Sequence, residues 1–381
     1  MLGVDYIYVD PHASKDEATG EFPQGVFTSI YEAIKSGSGK IIVIKSGVYE
    51  ETLLIEDEIV LVSLRSARAL LEDRGDDLPL SDESQTAIVG SNFHTITLLG
   101  DCSLNDLTIT QCGSGRWFAI YCAAGSPKIS NCDCSGATSS VVGICGGATP
   151  MLTGCKIHGS IHGCGVCVFQ GGKGELSENE IYQNAMSGVE IFGEETEIEV
   201  RANRIHSNRG DGVLVYDSGK CTLTSNTVEK NFHAGVEVRD KGLVTAQENS
   251  VARNNFGFII ARHASAMLEA NRVIGNFITG VEVSRRNREE GSVRTVLRRN
   301  DIRYNLESGV KLWYDSNPRL DGNVVAANLE PLSMTPRSRK RVSMGPEPEG
   351  DAEPVAGELP SRFGNNSVVE MADVIRRLRD K

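Results

Sequence analysis

The sequence predicts an all-β chain wound as a right-handed, single-stranded parallel β-helix, and three observations predict it. First, a phrase of the form apolar-x-x-Asn-x-[Ile/Val]-x-x-Asn-x-x-x-Gly-Val-x-apolar keeps returning along residues 173–325. Its first asparagine falls at Asn179, Asn203, Asn226, Asn249, Asn271, Asn300 and Asn323, in steps of 24, 23, 23, 22, 29 and 23 residues. A period of this size marks a stacked repeat. Second, apolar and polar residues alternate within each copy, which is the strand period and not the helical one. In "GVEV", Val236 and Val238 share one face and Glu237 takes the other. Third, 40 glycines and an aromatic content of 6% among 381 residues suit a long repeat of short strands and bends.

One copy cannot bury its own apolar side, so copies must stack. Stacking sets equivalent residues about 4.8 Å apart, and the recurrent asparagine then forms a ladder of amide-to-amide hydrogen bonds. Glycine in each copy is expected where the backbone turns sharply or takes a positive φ. A leucine-rich repeat has a similar period, but it needs Leu-x-x-Leu-x-Leu and a helical return. Here the return holds Gly, Asp and Ser. Two irregularities stand out. The 29-residue step carries the polar insertion "RRNREEGS", and the copy at Asn249 is one residue short before Gly257.

In chain order, "FTSIYEAIKSG" reads as a short amphipathic helix. Ser29 and Glu32 lie at capping-box spacing, Ile30, Ala33 and Ile34 share a face, and Gly37 or Gly39 ends it. Such a helix would cover the open edge of the first coil. Strands follow in "KIIVIKSGVYEETLLI" and "EIVLVSL", and residues 66–85 are expected to leave the coil as an excursion. Degenerate copies then resume, giving about ten coils between Leu98 and Asn328. The earliest is read with Cys102 three before the ladder position and Leu107 two after it, and Cys132 and Cys155 replace the ladder asparagine in the next two. Pro127, Pro150 and Pro318 share a corner phase, where no ladder N–H is needed. The β-helix with its cap is assigned to residues 1–328, a disordered linker to 329–364 and a short amphipathic helix to 365–381. Within the linker, the basic run before Ser343 resembles a kinase site.

Nine of the ten cysteines lie between Cys102 and Cys167. The "CDC" and "CGVC" spacings suggest zinc, but several of these thiols fall on inward phases, where cysteine serves as a small apolar residue. No metal or other cofactor is therefore expected. A net charge of −12 disfavours nucleic acid and anionic membranes. "MLGVDYIYVDP" has neither a basic nor an apolar leader region, so a cytoplasmic or nuclear location is expected.

The stretch "GGKGELSENEIYQNAMSGVEI" and its relatives resemble the parallel β-helix repeats of the carbohydrate-binding and sugar-hydrolysis class. Within that class they are most similar to the substrate-binding β-helix of the F-box-only ubiquitin-ligase adaptors. "FTSIYEAIKSGSGKIIVIKSGVYEETLLI" resembles the opening coil of pectin-lyase-like folds. The resemblance implies either a protein-binding scaffold, with a link to ubiquitin ligation, or a polysaccharide lyase, hydrolase or epimerase acting on acidic sugars. Fold alone does not decide between them.

The residues favour the non-catalytic scaffold. The outward position of the Gly-Val-x-apolar strand reads Glu190, Leu214, Glu237, Ile259, Glu282 and Lys311 on successive coils. Carboxylates alternating with bulky apolar residues suit a basic, partly apolar protein partner, with carbohydrate as the alternative. The only catalytic candidates are Asp217 and Asp240, with Arg239 and Arg262 near. Both sit in "YDSGK" and "RDKG", which is ordinary turn chemistry. His158, His206, His233 and His263 fall at scattered bends, and pectinase-type catalytic signatures are not recognisable.

Overall fold

A computed structural model describes residues 6–15, 25–37, 41–71, 85–285, 295–314, 316–334 and 343–344. The chain is an all-β, right-handed parallel solenoid with three long sheets running the length of the stack. Sheet A has 15 strands, and sheets B and C have 12 each. Every recorded pairing is parallel and links equivalent strands of successive coils, as in Val189↔Val213, Val213↔Val236 and Val236↔Phe258. The interior is one continuous apolar column from Ile7 to Leu312.

Two asparagine ladders hold two of the corners. The predicted one runs from Asn179 to Asn323, each Nδ2 donating to the next Oδ1 at 2.8–3.1 Å. The same Oδ1 accepts the backbone N–H of the preceding asparagine, as Asn226 does from Asn203 at 2.9 Å. The second asparagine of the repeated phrase forms another ladder from Asn184 to Asn328, at 2.9–3.3 Å. Each rung follows a residue in the left-handed region, for example Glu178 and Ala202 on the first ladder and Gln183 and Ser207 on the second. A non-glycine residue there costs about 1–2 kcal/mol. The buried, fully bonded amides offset that cost at each bend.

The glycine column corrects one expectation. Gly188, Gly212, Gly235 and Gly257 have ordinary φ, so left-handed backbone is not their reason. A Cβ at Gly212 would meet Val228 Cγ1 at 2.4 Å, Gly235 O at 2.6 Å and Asn231 Nδ2 at 2.9 Å. Glycine is needed because a core side chain, the next coil's carbonyl and the second ladder together fill the space a side chain would take.

At the front end, helix α1 (Ile30–Ser36) starts at Ser29, whose side chain accepts from Glu32 N–H, and ends at Gly37 in the left-handed conformation. The Glu51 carboxylate also accepts from Ile30 N–H and Tyr31 N–H, at 3.0 and 2.7 Å. Ile30 and Ala33 plug the first coil. The excursion placed at residues 66–85 opens with a second helix, α2 (Leu64–Leu71). Leu64 and Ala67 cover Val43 and Val62 on the outside of sheet A, and Arg65 and Ser66 reach Asp106. Residues 72–84 lie outside the described residues.

The earliest degenerate coil is in a different register from the one read in the sequence. Leu104 pairs with Ile129, and Ile109 with Cys134, so Cys102 and Leu107 each stand two places earlier than assigned. A slip of two leaves every side chain on the same face, so alternation alone cannot detect it. At the far end the solenoid continues past Asn328. Strand Glu330–Met334 pairs with Ser308–Tyr314, with Leu332 opposite Val310 and Met334 opposite Leu312. The coils thus run to residue 334, past the boundary read at 328, because apolar alternation persists for one more strand. Ser343–Met344 pairs with the strand Arg319–Asp321. The rest of the linker and the helix placed at 365–381 lie outside the described residues. All ten cysteines are free thiols, and Cys132, Cys134 and Cys155 are packed inside the column.

Candidate functional site

The outer face of sheet C gathers the chemistry. Pairings Glu190↔Leu214, Leu214↔Glu237, Glu237↔Ile259, Ile259↔Glu282 and Glu282↔Lys311 put the six predicted residues in one column. None of the six is fully exposed, and Leu214 is only 8% exposed. The column is therefore partly covered by its neighbours and not freely solvated. Two residues further along each strand runs a rail of rings. Phe169 stacks on Phe192 at 5.9 Å and Phe192 on Tyr216 at 5.1 Å, and the Arg239 guanidinium lies 5.1 Å over the Tyr216 ring. Phe118, 6.5 Å from Phe169, extends the rail toward the front end.

On the other side of the column, at the turn entering sheet C, lies His233. Its Nδ1 is 2.7 Å from Asp211 Oδ1 and 3.3 Å from Glu237 Oε2. Asp211 is buried on the preceding coil and also accepts Ala234 N–H at 2.9 Å. Glu237 Oε1 stands 3.5 Å from Arg239 Nε. Tyr216 donates its hydroxyl proton to Glu190 at 2.8 Å, and Cys164 Sγ lies 2.7 Å from the other Glu190 oxygen. Burial pushes the Asp211 carboxyl up. Hydrogen bonds to Asp211 and Glu237 push His233 up to about 10. One proton is thus retained between the imidazole and its carboxylates at neutral pH. Burial also pushes up the Glu282 carboxyl and the Tyr216 phenol.

His233 is half exposed, as is Met186 at the same phase two coils earlier, and the next coil is one residue short beside it. Asn255 N–H and Phe256 N–H both donate to His233 O, so one residue of the following turn is missing above it. This is the deletion seen in the copy at Asn249.

Residues 139–290 match the right-handed beta helix region family. No curated protein matches the sequence significantly. Among solved structures, the A-module of mannuronan C-5 epimerase AlgE4 from Azotobacter vinelandii superposes with a TM-score of 0.59 at 10% identity, covering 83% of this chain and 94% of that one. The AlgE6 A-module from the same organism gives 0.52 at 12% identity, over 80% and 93%. The Dettilon tailspike protein gives 0.57 at 13% identity, over 87% and 68%. At such identities the likeness establishes the fold.

The other predicted residues fall elsewhere. Asp217 and Asp240 occupy the turns leaving sheet C, both at φ 48° with a left-handed residue after them. Asp240 pairs with Arg262 at 3.3 Å. They are turn residues, as the sequence reading held. His158 and His206 stack on either side of Tyr182 outside sheet B, and His263 is a left-handed turn residue. Only His233 joins the cluster, and the sequence reading missed its partner Asp211. Two signals were available: the deletion in the turn beside His233, and an aspartate where the repeats on either side place Ser187 and Ala234.

Proposed function

We propose that the protein acts on a polysaccharide whose chain lies along the outer face of sheet C, crossing the coils. The observation that carries this reading is the cluster of Asp211, His233, Glu237, Arg239 and Tyr216, set between a rail of stacked rings and an exposed turn. Rings beside a polar column suit sugars, whose apolar faces pack on aromatics while their hydroxyls seek charged partners. A protonated imidazole braced by two carboxylates can donate a proton. Glu190 can accept one, and Arg239 can hold an anionic sugar group. This is acid–base chemistry on an acidic glycan. The mannuronan epimerase modules, similar in fold, lend support to a uronate polymer as substrate.

The test is incubation with uronate polymers and neutral glucans. Unsaturated ends would report elimination, new reducing ends hydrolysis, and sugar-ring NMR inversion at carbon 5. One product should accumulate and fall by ~10²–10⁴-fold in His233→Gln. A folded protein that neither binds nor alters any of these glycans would sink the reading.

A protein-binding scaffold, with the ubiquitin-ligase link implied by the resemblance, is the second reading. It draws on Phe232, 73% exposed beside the same column, and on the exposed Ile161 and Met186. Under it, changing Glu190, Glu237 and Glu282 together to Lys removes a protein partner while glycans stay inert throughout.

A further inference from the structure

We infer that Asp211, His233 and Glu237 form a binding site for a divalent transition metal of the zinc or manganese kind. The inference concerns the side chains of the proposed site, where an ion would take the place of the His233 proton, and it rests on their geometry alone, not on the identity of any glycan. One imidazole nitrogen and one oxygen from each carboxylate lie within 4.8 Å of one another. The two edges that meet at the nitrogen measure 2.7 and 3.3 Å. Ligand distances of about 2.0–2.2 Å place neighbouring donors around one ion roughly 3 Å apart, which the two edges at the nitrogen match, while the edge between the carboxylates is within 4.8 Å.

The donor set is mixed nitrogen and oxygen, which suits zinc or manganese. Calcium is disfavoured, since it takes six to eight oxygens. Asp211 is braced by Ala234 N–H, and Glu237 projects from the strand Ala234–Val238. Both carboxylates therefore stand on rigid backbone. The His233 side chain is half exposed, giving the ion a way in.

The fold itself does not call for these side chains. The columns carry Ser187 and Ala234 where Asp211 stands, and Leu214 and Ile259 beside Glu237. Among the described residues, no other group of three His, Cys, Asp or Glu donors comes as close.

The experiment uses the full chain, stripped with a chelator and titrated with Zn²⁺, Co²⁺ and Ca²⁺ by calorimetry and absorption. Zn²⁺ should bind at one equivalent with proton release, since ion and proton compete for the same nitrogen. Co²⁺ should show a ligand-field spectrum free of thiolate charge-transfer bands, which separates this site from the cysteines. His233→Gln and Glu237→Gln, each checked for an unchanged melting curve, should weaken binding by more than the ~10–100-fold that losing an outer partner costs. No uptake by the parent protein, uptake by both variants undiminished from the parent's, or thiolate bands would each overturn the inference. Glycan turnover that persists in chelator alongside absent metal binding would sink this inference and leave the proposed function standing.

Discussion

Replacing Asn203 by Ala tests the ladder at its centre, and the structure sets the size of the effect. The Asn203 Oδ1 accepts from Asn179 N–H and Asn179 Nδ2, both at 2.9 Å. Its Nδ2 donates to Leu176 O, Arg201 O and Asn226 Oδ1 at 2.7, 3.0 and 3.1 Å. Some of these partners keep an alternative. Asn179 Nδ2 retains Leu152 O at 2.9 Å, and Asn226 Oδ1 retains Asn203 N–H at 2.9 Å. Asn179 N–H is the group left stranded in the interior. One orphaned buried donor costs about 1–3 kcal/mol, and the net loss of a satisfied bond adds about 1 kcal/mol, so about 2–4 kcal/mol is expected in all.

Asn323 supplies the control. It is the last rung of this ladder and only half-buried, so water can replace what its side chain gives to Asn300 and Leu297. Asn323→Ala should therefore cost less than about 1 kcal/mol. A stacked repeat need not unfold in one step, so the comparison uses melting temperature together with amide hydrogen exchange. At roughly 2–4 °C per kcal/mol, Asn203→Ala should melt about 4 °C or more below the parent and expose Asn179 N–H to exchange. Equal melting of the two variants, or unchanged protection at Asn179, would refute the account of which groups the ladder satisfies.

Two further predictions concern parts the ladder supports. Gly212→Ala should destabilise the fold severely, because its Cβ would come within 2.4–2.9 Å of three atoms. Gly275→Ala, with nothing within 4 Å, should pay only for its left-handed φ of 65°, and comparable melting of the two would show that crowding is not the reason for the glycine column. The second prediction concerns Asp106. Burial alone would raise its carboxyl, yet donors from Arg65, Ser63 and Ser66 outweigh burial and hold it below the usual range. A carboxyl depressed in the folded state stabilises fully above its unfolded pKa of about 3.9, and that contribution is lost as pH falls through the folded value. Asp106→Asn should flatten the acid limb of stability and detach α2 without disturbing the coils. An acid limb identical to the parent's would remove Asp106 from that role.

The sequence is most legible where residues are repeated. The solenoid, the in-and-out sense of Val236, Glu237 and Val238, the ladder from Asn179 and the capping of α1 by Ser29 and Gly37 all follow from periodicity or local cap chemistry. The second ladder is written in the same phrase, yet its rungs needed coordinates to be seen as buried amides. Register in the degenerate coils was less legible, since a two-residue slip at Leu104 leaves every side chain facing the same way. The partial burial of the outward column was not legible, since exposure at a position such as Leu214 depends on side chains from neighbouring coils. Helix α2 lies in a stretch without repeats, and its ties from Arg65 and Ser66 to Asp106 span parts of the chain far apart in sequence.

The cluster at Asp211 and His233 ties these levels together. Stacking commits most positions of each copy: one asparagine at each of two corners, glycine where the second ladder and its neighbours leave no room, and β-branched or leucine side chains within. A residue free to do chemistry must therefore lie outward on a strand or in a turn where a copy departs from its neighbours. His233 satisfies the turn condition, beside the place where the following copy is one residue short. Asp211 and Glu237 then fall within reach because coils stack at about 4.8 Å, so donors one coil apart converge without any special loop. The same regularity that makes the fold readable makes the exceptions informative. A single missing residue in the turn before Gly257 and an aspartate in a column of small residues mark the place where the solenoid departs from pure architecture.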